Sequence, residues 1–285
     1  MPGPIEETLL EASPGTWRFC RAEPAPNVAR FVTEYWEVEG KLQAFRETLL
    51  PNGCVEVMVN LGPPHRVLSD QAPGVWDRSW FSGLQERALV IESLEGTHLL
   101  AARLHPLGAL ELLGPGAPRA ANSVVDLGTL IGEDAVALRD AALRAASAAE
   151  RLALLEQFLS ARLERREASP EFVRQAATRL EAAHGALRVS ELHEQIGVSR
   201  KHLAVTFTRA MGISAKAYAQ IQRFIWTLAR LREQSTVDWS ALAGEAGYSD
   251  QSHLVRDFRR IGAATPTEYL RRATPDGTAL LSDSG

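Results

Sequence analysis

The chain has 285 residues, 45% of them apolar and 23% charged, which fits a globular protein of roughly two domains. It has no run of about 18 apolar residues, which excludes a membrane-spanning helix. The opening MPGPIEETLLEASPG lacks the basic start and apolar stretch of a secretory leader. With only Cys20 and Cys54 no disulfide framework is expected, and the chain reads as cytoplasmic. The net charge of −4 is unevenly spread. Residues 170–272 hold fifteen Lys/Arg against ten Asp/Glu, a balance of +5, and the other 16 basic and 25 acidic groups carry −9. A basic C-terminal part beside an acidic remainder points to a polyanionic partner at that end.

Residues 1–26 hold five of the fifteen prolines and read as irregular. From Asn27 to about Pro106 the signals are those of strands. RFVTEYWEVEG is aromatic and β-branched, CVEVMVNLG alternates Val55, Val57 and Val59, and RALVIES and THLLAARLH follow between turn residues. Short strands at this density predict a small barrel or sandwich. After LGPGAPR, residues from about Glu133 to Arg166 read as helix, with Leu152, Leu155 and Leu159 on one stripe. That stripe suits packing on the barrel or pairing with the same helix of a second subunit. REASPEF breaks the helix and marks the linker. Short helices then run to about Arg272, and ATPDGTALLSDSG reads as a frayed tail. The expected fold is α+β: a β-barrel or sandwich-like N-terminal domain with helices over 1–168, an all-α domain over 169–273 and a flexible tail over 274–285.

One pattern occurs twice in the basic part. Leu192, Gly197 and Ser199 match Leu242, Gly247 and Ser249 at an offset of fifty, and His202, Leu203 and Phe207 match His253, Leu254 and Phe258 at fifty-one. The leucine of each first helix faces inward. The glycine ends that helix, where a positive φ costs it little. The serine caps the next helix, and Leu and Phe at i and i+4 anchor it. Each copy is a helix-turn-helix whose second helix keeps an outward face for a DNA groove. Between them Tyr218, Ile221, Ile225 and Leu228 step by three and four along one long helix. A helix of about 20 residues spans about 30 Å, close to the roughly 34 Å of one B-DNA turn.

These residues resemble the AraC/XylS family of bacterial transcription regulators over about Pro170 to Arg272. LAGEAGYSDQSHLVRDFRR with TPTEYLRR carries the stronger likeness, and LHEQIGVSRKHLAVTFTRAMGISAKAY, with Gly212, Tyr218 and Arg223, carries the other. The resemblance implies seven helices that bind double-stranded promoter DNA and usually activate transcription through RNA polymerase. The chain departs from the pattern at His193, where a small core residue is expected. It departs also at Ala215, in place of proline, and at Ala263, where a glycine is expected and Gly262 stands one place early. The strand-rich part, with LPNGCVEVMVNLG and RLHPLGA, resembles a domain of poorly defined role found ahead of this module. By analogy it implies a small-molecule effector site or a homodimer interface.

Carried over by position, the base-reading residues of the first copy are Lys201, Ala204 and Val205. The last two can touch only thymine methyls. Arg200, Thr206 and Arg209 suit phosphates. In the second copy the positions are Gln251, Ser252, His253 and Arg256, where Gln suits adenine and Arg guanine. Arg259, Arg260, Arg271 and Arg272 suit either a solvated surface or a loose phosphate contact. In the N-terminal part Trp36, Trp76 and Trp80, with Arg46, Glu56 and Arg103, are the candidate ligand residues, against the alternative that the tryptophans are core. His65, His98, His105 and Cys54 have no close ligand spacing, so no metal is expected. Neither a cofactor loop nor a nucleophile motif is present, and an enzyme is not expected. The alternatives for the N-terminal part are an enzyme barrel or a pure dimerisation or protein-contact module.

Overall fold

The computed structural model describes residues 1–281 apart from 13–14, 43, 70–72, 94–95, 164–168, 235 and 275–276. The strands β1 (Ile5–Ala12), β2 (Gly15–Ala22), β3 (Val32–Leu42), β4 (Phe45–Leu49), β5 (Val55–Asn60), β6 (His65–Val67), β7 (Gly74–Trp76), β8 (Ser79–Ser82), β9 (Leu89–Ser93) and β10 (Thr97–Leu104) come first. Then follow α1 (Pro106–Leu113), α2 (Gly116–Arg119), β11 (Val124–Asp126), α3 (Gly128–Ile131), α4 (Asp134–Arg144) and α5 (Ala148–Leu163). The rest is α6 (Glu171–Ala182), α7 (Val189–Ile196), α8 (Arg200–Met211), α9 (Ala215–Glu233), α10 (Trp239–Glu245), α11 (Gln251–Gly262), α12 (Pro266–Arg272) and β12 (Ala279–Leu281). The fold is α+β, with strands and helices segregated along the chain. Among the described residues no helix is long and apolar enough to cross a membrane.

Two compact units emerge. The first holds Met1–Arg46, Cys54–Leu84 and Ile91–Ala168, and the second holds Glu47–Gly53, Gln85–Val90 and Ser169–Gly285. A single junction at 168–169 therefore does not describe the packing, because two short N-terminal segments belong with the C-terminal helices. The expected linker itself falls largely on 164–168, outside the described residues.

In the first unit a seven-stranded sheet runs in the order β1-β2-β3-β10-β5-β8-β11. It stays open, with the eight-residue β1 at one edge and the three-residue β11 at the other, so the expected barrel does not close. Val55, Val57 and Val59 are buried on one face together with Tyr35, Phe81, Leu100 and Ala102. Leu152, Leu155 and Leu159 of α5 are fully buried within this unit, where α5 packs on β3, β10 and α1. That assigns the Leu152, Leu155 and Leu159 stripe to packing on the sheet rather than to a second subunit. The expected continuous helix over 133–166 is broken at Ala145. The Ser147 hydroxyl accepts from the Glu150 N–H at 3.2 Å, and the Glu150 carboxylate accepts from the Ala146 N–H at 2.8 Å. This reciprocal cap restarts the chain as α5.

In the second unit the repeat is built as its spacing requires. Leu192, Leu203 and Phe207 are buried in the first copy, and Leu242, Leu254 and Phe258 in the second. Gly197 ends α7 at φ 79°, and Gly247 has φ 75° in the second turn. The 19-residue α9 joins the copies, about 28 Å of helix at 1.5 Å per residue. Its inward stripe is Tyr218, Ile221, Phe224, Leu228 and Leu231, and Ile225 is only half-buried. Phe224 faces the core of the second copy, while Ile225 and Gln222 lie against Gly53 of the 47–53 segment. The expected frayed tail is also overturned for 279–281. Ala279–Leu281 pairs antiparallel with Leu49, Thr48 and Glu47 of β4, and Arg272 Nε donates to the Leu281 carbonyl at 2.9 Å.

Candidate nucleic-acid interface

The two second helices, α8 and α11, are capped differently. In the first copy the Ser199 hydroxyl accepts from the His202 N–H at 3.2 Å, as expected. In the second the cap is Asp250, not Ser249, and its carboxylate accepts from the His253 N–H at 2.7 Å. The extra residue of the second copy therefore lies before the cap, and Asp250 takes the place equivalent to Ser199 at the offset of fifty-one. Ser249 donates to Asp250 at 3.0 Å and sits 3.2 Å from His253 Nδ1. Bonds from the His253 amide and the Ser249 hydroxyl hold the Asp250 carboxyl below the usual range.

On α8, burial of Leu203, Phe207, Ala210 and Met211 turns the opposite side to solvent. Arg200, Lys201, Ala204, Val205 and Arg209 are exposed there, Val205 as a large apolar side chain at 60%. Ala204, Val205, Thr208 and Arg209 line one shallow depression. Thr206 is half-buried at the flank, because 100° per residue places it beside the core stripe, and Thr208 occupies the outward place instead.

On α11, Gln251, Ser252 and Arg256 are exposed and His253 is half-buried. Gln251, Ser252, Val255, Arg256 and Arg259 line a second depression. Arg256 stands at the place of Val205, and Arg259 at the place of Thr208. Val255 and Thr208 are additions to the expected sets, and Arg259, expected on a solvated surface or a loose phosphate contact, joins them; the spacing of three from Ser252, Val205 and Arg256 was the signal. Arg260 and Arg272 have inward partners instead. Arg260 Nη2 holds the buried Asp257 carboxylate at 3.1 Å, and Arg272 ties down β12.

The second helix is also gripped from behind. Phe224 of α9 meets Phe258 edge-on at 4.9 Å, and Phe258 meets Tyr269 at 6.4 Å. Arg223 donates to the Gly185 carbonyl at 3.0 Å while its guanidinium lies 5.1 Å over the Tyr248 ring. It thus ties the turn after α6 to the turn of the second copy. Gly185 has φ 71°, and a side chain there would strike the Ala219 carbonyl, so this turn approaches α9 as only glycine allows. The first copy is more open. His193 stands half-exposed where the second copy buries Ala243, and Val198 is half-exposed where the second copy buries Tyr248.

In the first unit the candidate ligand residues separate into two groups. The register puts Trp36, Ala101, Met58 and Trp80 in one cross-strand row, with Glu34, Arg103, Glu56 and Ser82 in the next row on the same face. Arg103 pairs with Glu56 and with Glu34, both at 2.9 Å. Trp76 lies 6.4 Å from Trp80 and His65 6.0 Å from it, so Trp36, Trp76, Trp80, Glu56 and Arg103 belong to one region. The ring N–H groups of Trp36 and Trp76 are buried there with no partner among the described residues. Arg46 is not part of this group. It pairs with Glu92 at 2.9 Å, and Glu92 pairs with Arg66, on the side of β9 and β6 opposite to the buried His65 and Ser93.

The histidines of this unit go to separate places. Burial pushes His65 down to about 4, and its Nδ1 lies 3.1 Å from the Ser93 hydroxyl. His105 caps α1 by accepting from the Leu107 N–H. His98 lies 3.2 Å from Glu37, with Glu39 close by. This cluster is already balanced by cations: Arg151 holds Glu37 through two bonds at 2.6 and 2.8 Å, and Arg18 holds Glu39 at 2.6 Å. Burial alone would raise the Glu37 carboxyl, and the Arg151 and His98 bonds bring it below its usual range.

Comparison with known proteins finds the family described as Helix-turn-helix domain over residues 192–272, and a Domain of unknown function (DUF6597) over 20–126. No curated protein matches the chain. Among solved structures, ToxT from Vibrio cholerae is 9% identical, covering 83% of this chain and 98% of its own at a TM-score of 0.48. The C-terminal domain of AraT, a response regulator from Geobacillus stearothermophilus, is 19% identical over 42% and 94%, at 0.35. The AraC-like transcriptional activator CuxR is 13% identical over 79% and 87%, at 0.33. A duplicated helix-turn-helix with two solvent-facing second helices thus stands on the residues that match the Helix-turn-helix domain family.

Proposed function

We propose that α8 and α11 enter successive major grooves on one face of promoter DNA and read two chemically unlike half-sites. The observation that carries this reading is that each helix buries its Leu and Phe and turns an unoccupied face outward. In the second half-site Arg256 suits a guanine and Gln251 an adenine, each bidentate contact contributing about 1–3 kcal/mol of discrimination, with Ser252 and His253 beside them. In the first, Val205 and Ala204 offer only apolar surface, which suits thymine methyls. Arg200, Lys201, Arg209 and the flanking Thr206 serve the phosphates. RNA polymerase and a second copy of the chain are the further partners that the family resemblance implies.

The N-terminal unit receives a small molecule in this reading. The surface formed by Trp36, Trp76, Trp80, Arg103 and Glu56 supports it, because it joins aromatic rings to a charged row and to two indole N–H groups without partners among the described residues. The DNA reading is tested by a mobility-shift titration of the full chain on duplexes selected from a random library. Binding that weakens steeply with salt and survives excess random duplex supports it. Failure to enrich any sequence overturns it. For the ligand, a compound that shifts the tryptophan emission of the wild type and leaves Trp80→Phe unchanged identifies the site.

A further inference from the structure

The reading helix α11 ends against chain drawn from far upstream, all within the second unit. The Ala88 N–H donates to the Ile261 carbonyl at 2.7 Å. A helix leaves its last carbonyls without partners, and here one of them is satisfied by residue 88. Leu50 is buried in the same core as Phe224, Leu254, Phe258 and Ile261. Its side chain lies within van der Waals contact of a Cβ placed at Gly262, and the Phe224 ring lies so near that such a Cβ would press on it. The Leu50 N–H is held in turn by the Thr278 carbonyl at 2.9 Å, and β12 pairs with 47–49.

The position of the glycine fits the same picture. Gly262 is the last residue of α11, and Ala263 takes the left-handed turn at φ 54°. The turn would suit glycine better, since a left-handed conformation costs a residue with a Cβ roughly 1–2 kcal/mol. Glycine stands instead where the Phe224 ring leaves no room, with Leu50 in contact beside it.

We infer that residues 47–53 and 85–90 brace the C-terminal end of α11, and that Leu50 and Ala88 are positioning residues for base reading by the second copy. Among the described residues no backbone bond from outside the helical region reaches the end of α8, which stops at Gly212, whose N–H bonds to the Thr208 carbonyl of its own helix. β4 and β9 continue along the chain from these segments into the first unit, at Arg46 and Ile91. The brace therefore gives the N-terminal half a covalent hold on one reading helix and not on the other.

The inference rests on the proposed DNA reading for its consequence, and hydrogen exchange separates the two. In the full-length Leu50→Ala variant without DNA, amides in the last turn of α11 exchange faster while those of α8 keep their wild-type rates. On selected duplex the same variant loses about tenfold discrimination at the second half-site and none at the first. Leu50→Met restores both. If Leu50→Ala does not fold, Leu50→Val takes its place with smaller changes in the same direction. Equal acceleration in both helices, or none in either, overturns the brace. Exchange confined to α11 in a protein that selects no duplex sinks the DNA reading and leaves the brace standing.

Discussion

The two copies of the helix-turn-helix share their anchors and differ in how they are held. The first rests on α6 and the start of α9, buries a single residue of α7, and leaves His193 and Val198 half-exposed. The second is enclosed by α9, α12, β12 and residues 47–53, with Arg223 and Tyr248 locking its turn. Their outward faces differ in the same sense. Where the first copy shows Val205, the second shows Arg256. A hydrogen-bonding contact loses much of its value when its donor is misplaced, whereas an apolar contact tolerates small shifts. The copy with the polar face is the one whose helix is fastened at both ends.

The largest test of that contrast is Phe258→Ala, which empties the centre of the second core. It is expected to cost about 3–5 kcal/mol in thermal unfolding. Phe207→Ala should leave a softer scar, because the open first copy can collapse around the space. Equal losses would break the comparison. Next comes base reading. Arg256→Ala should remove about 1–3 kcal/mol of preference at one base pair. Replacing thymine by uracil, which deletes only the methyl, should weaken binding in the first half-site and not in the second. A uniform loss over all sequences would instead make Arg256 a phosphate contact. Smaller again is Ala263→Gly, which relieves a left-handed alanine and should stabilise the chain by about 1 kcal/mol, measured as a raised unfolding midpoint.

The smallest effect concerns the caps. The Asp250 carboxyl titrates lower in the folded chain than in the unfolded one. Its contribution is therefore present above the unfolded pKa and fades as pH falls through the folded one. Ser199 has no such dependence. Acidification into the carboxylate range should loosen the first turn of α11 and leave that of α8 unchanged, as read by amide exchange. Asp250→Ser should erase the difference.

Much of this molecule was legible in the sequence because it is local. The offset of the two copies, Gly197 and Gly247 at their turns, and Leu254 with Phe258 on one face all follow from helical spacing. The cap of α11 was misassigned by one residue because Ser249 aligns with Ser199 until the inserted residue is placed before the cap. The break at Ala145 was also local, signalled by Ser147 and Glu150 three apart. What spacing does not reveal is long-range. Nothing near Leu50 or Ala88 announces that they pack with residues about two hundred positions on. Ile225 continues the apolar stripe of α9 as a pattern, yet it lies against Gly53 while Phe224 faces the second core. In the N-terminal unit the alternation of β3, β5 and β10 predicts faces but not register. Arg46 was therefore grouped with Arg103 although it turns the other way.

The most direct test of the account is a hydroxyl-radical footprint of the full-length protein on a selected duplex, repeated with five base pairs inserted between the half-sites. The α9 spacer of about 28 Å predicts two protected blocks about ten base pairs apart on one face of the duplex, and the insertion should abolish the second block while sparing the first. A single block, or two blocks that both survive the half-turn insertion, would contradict it.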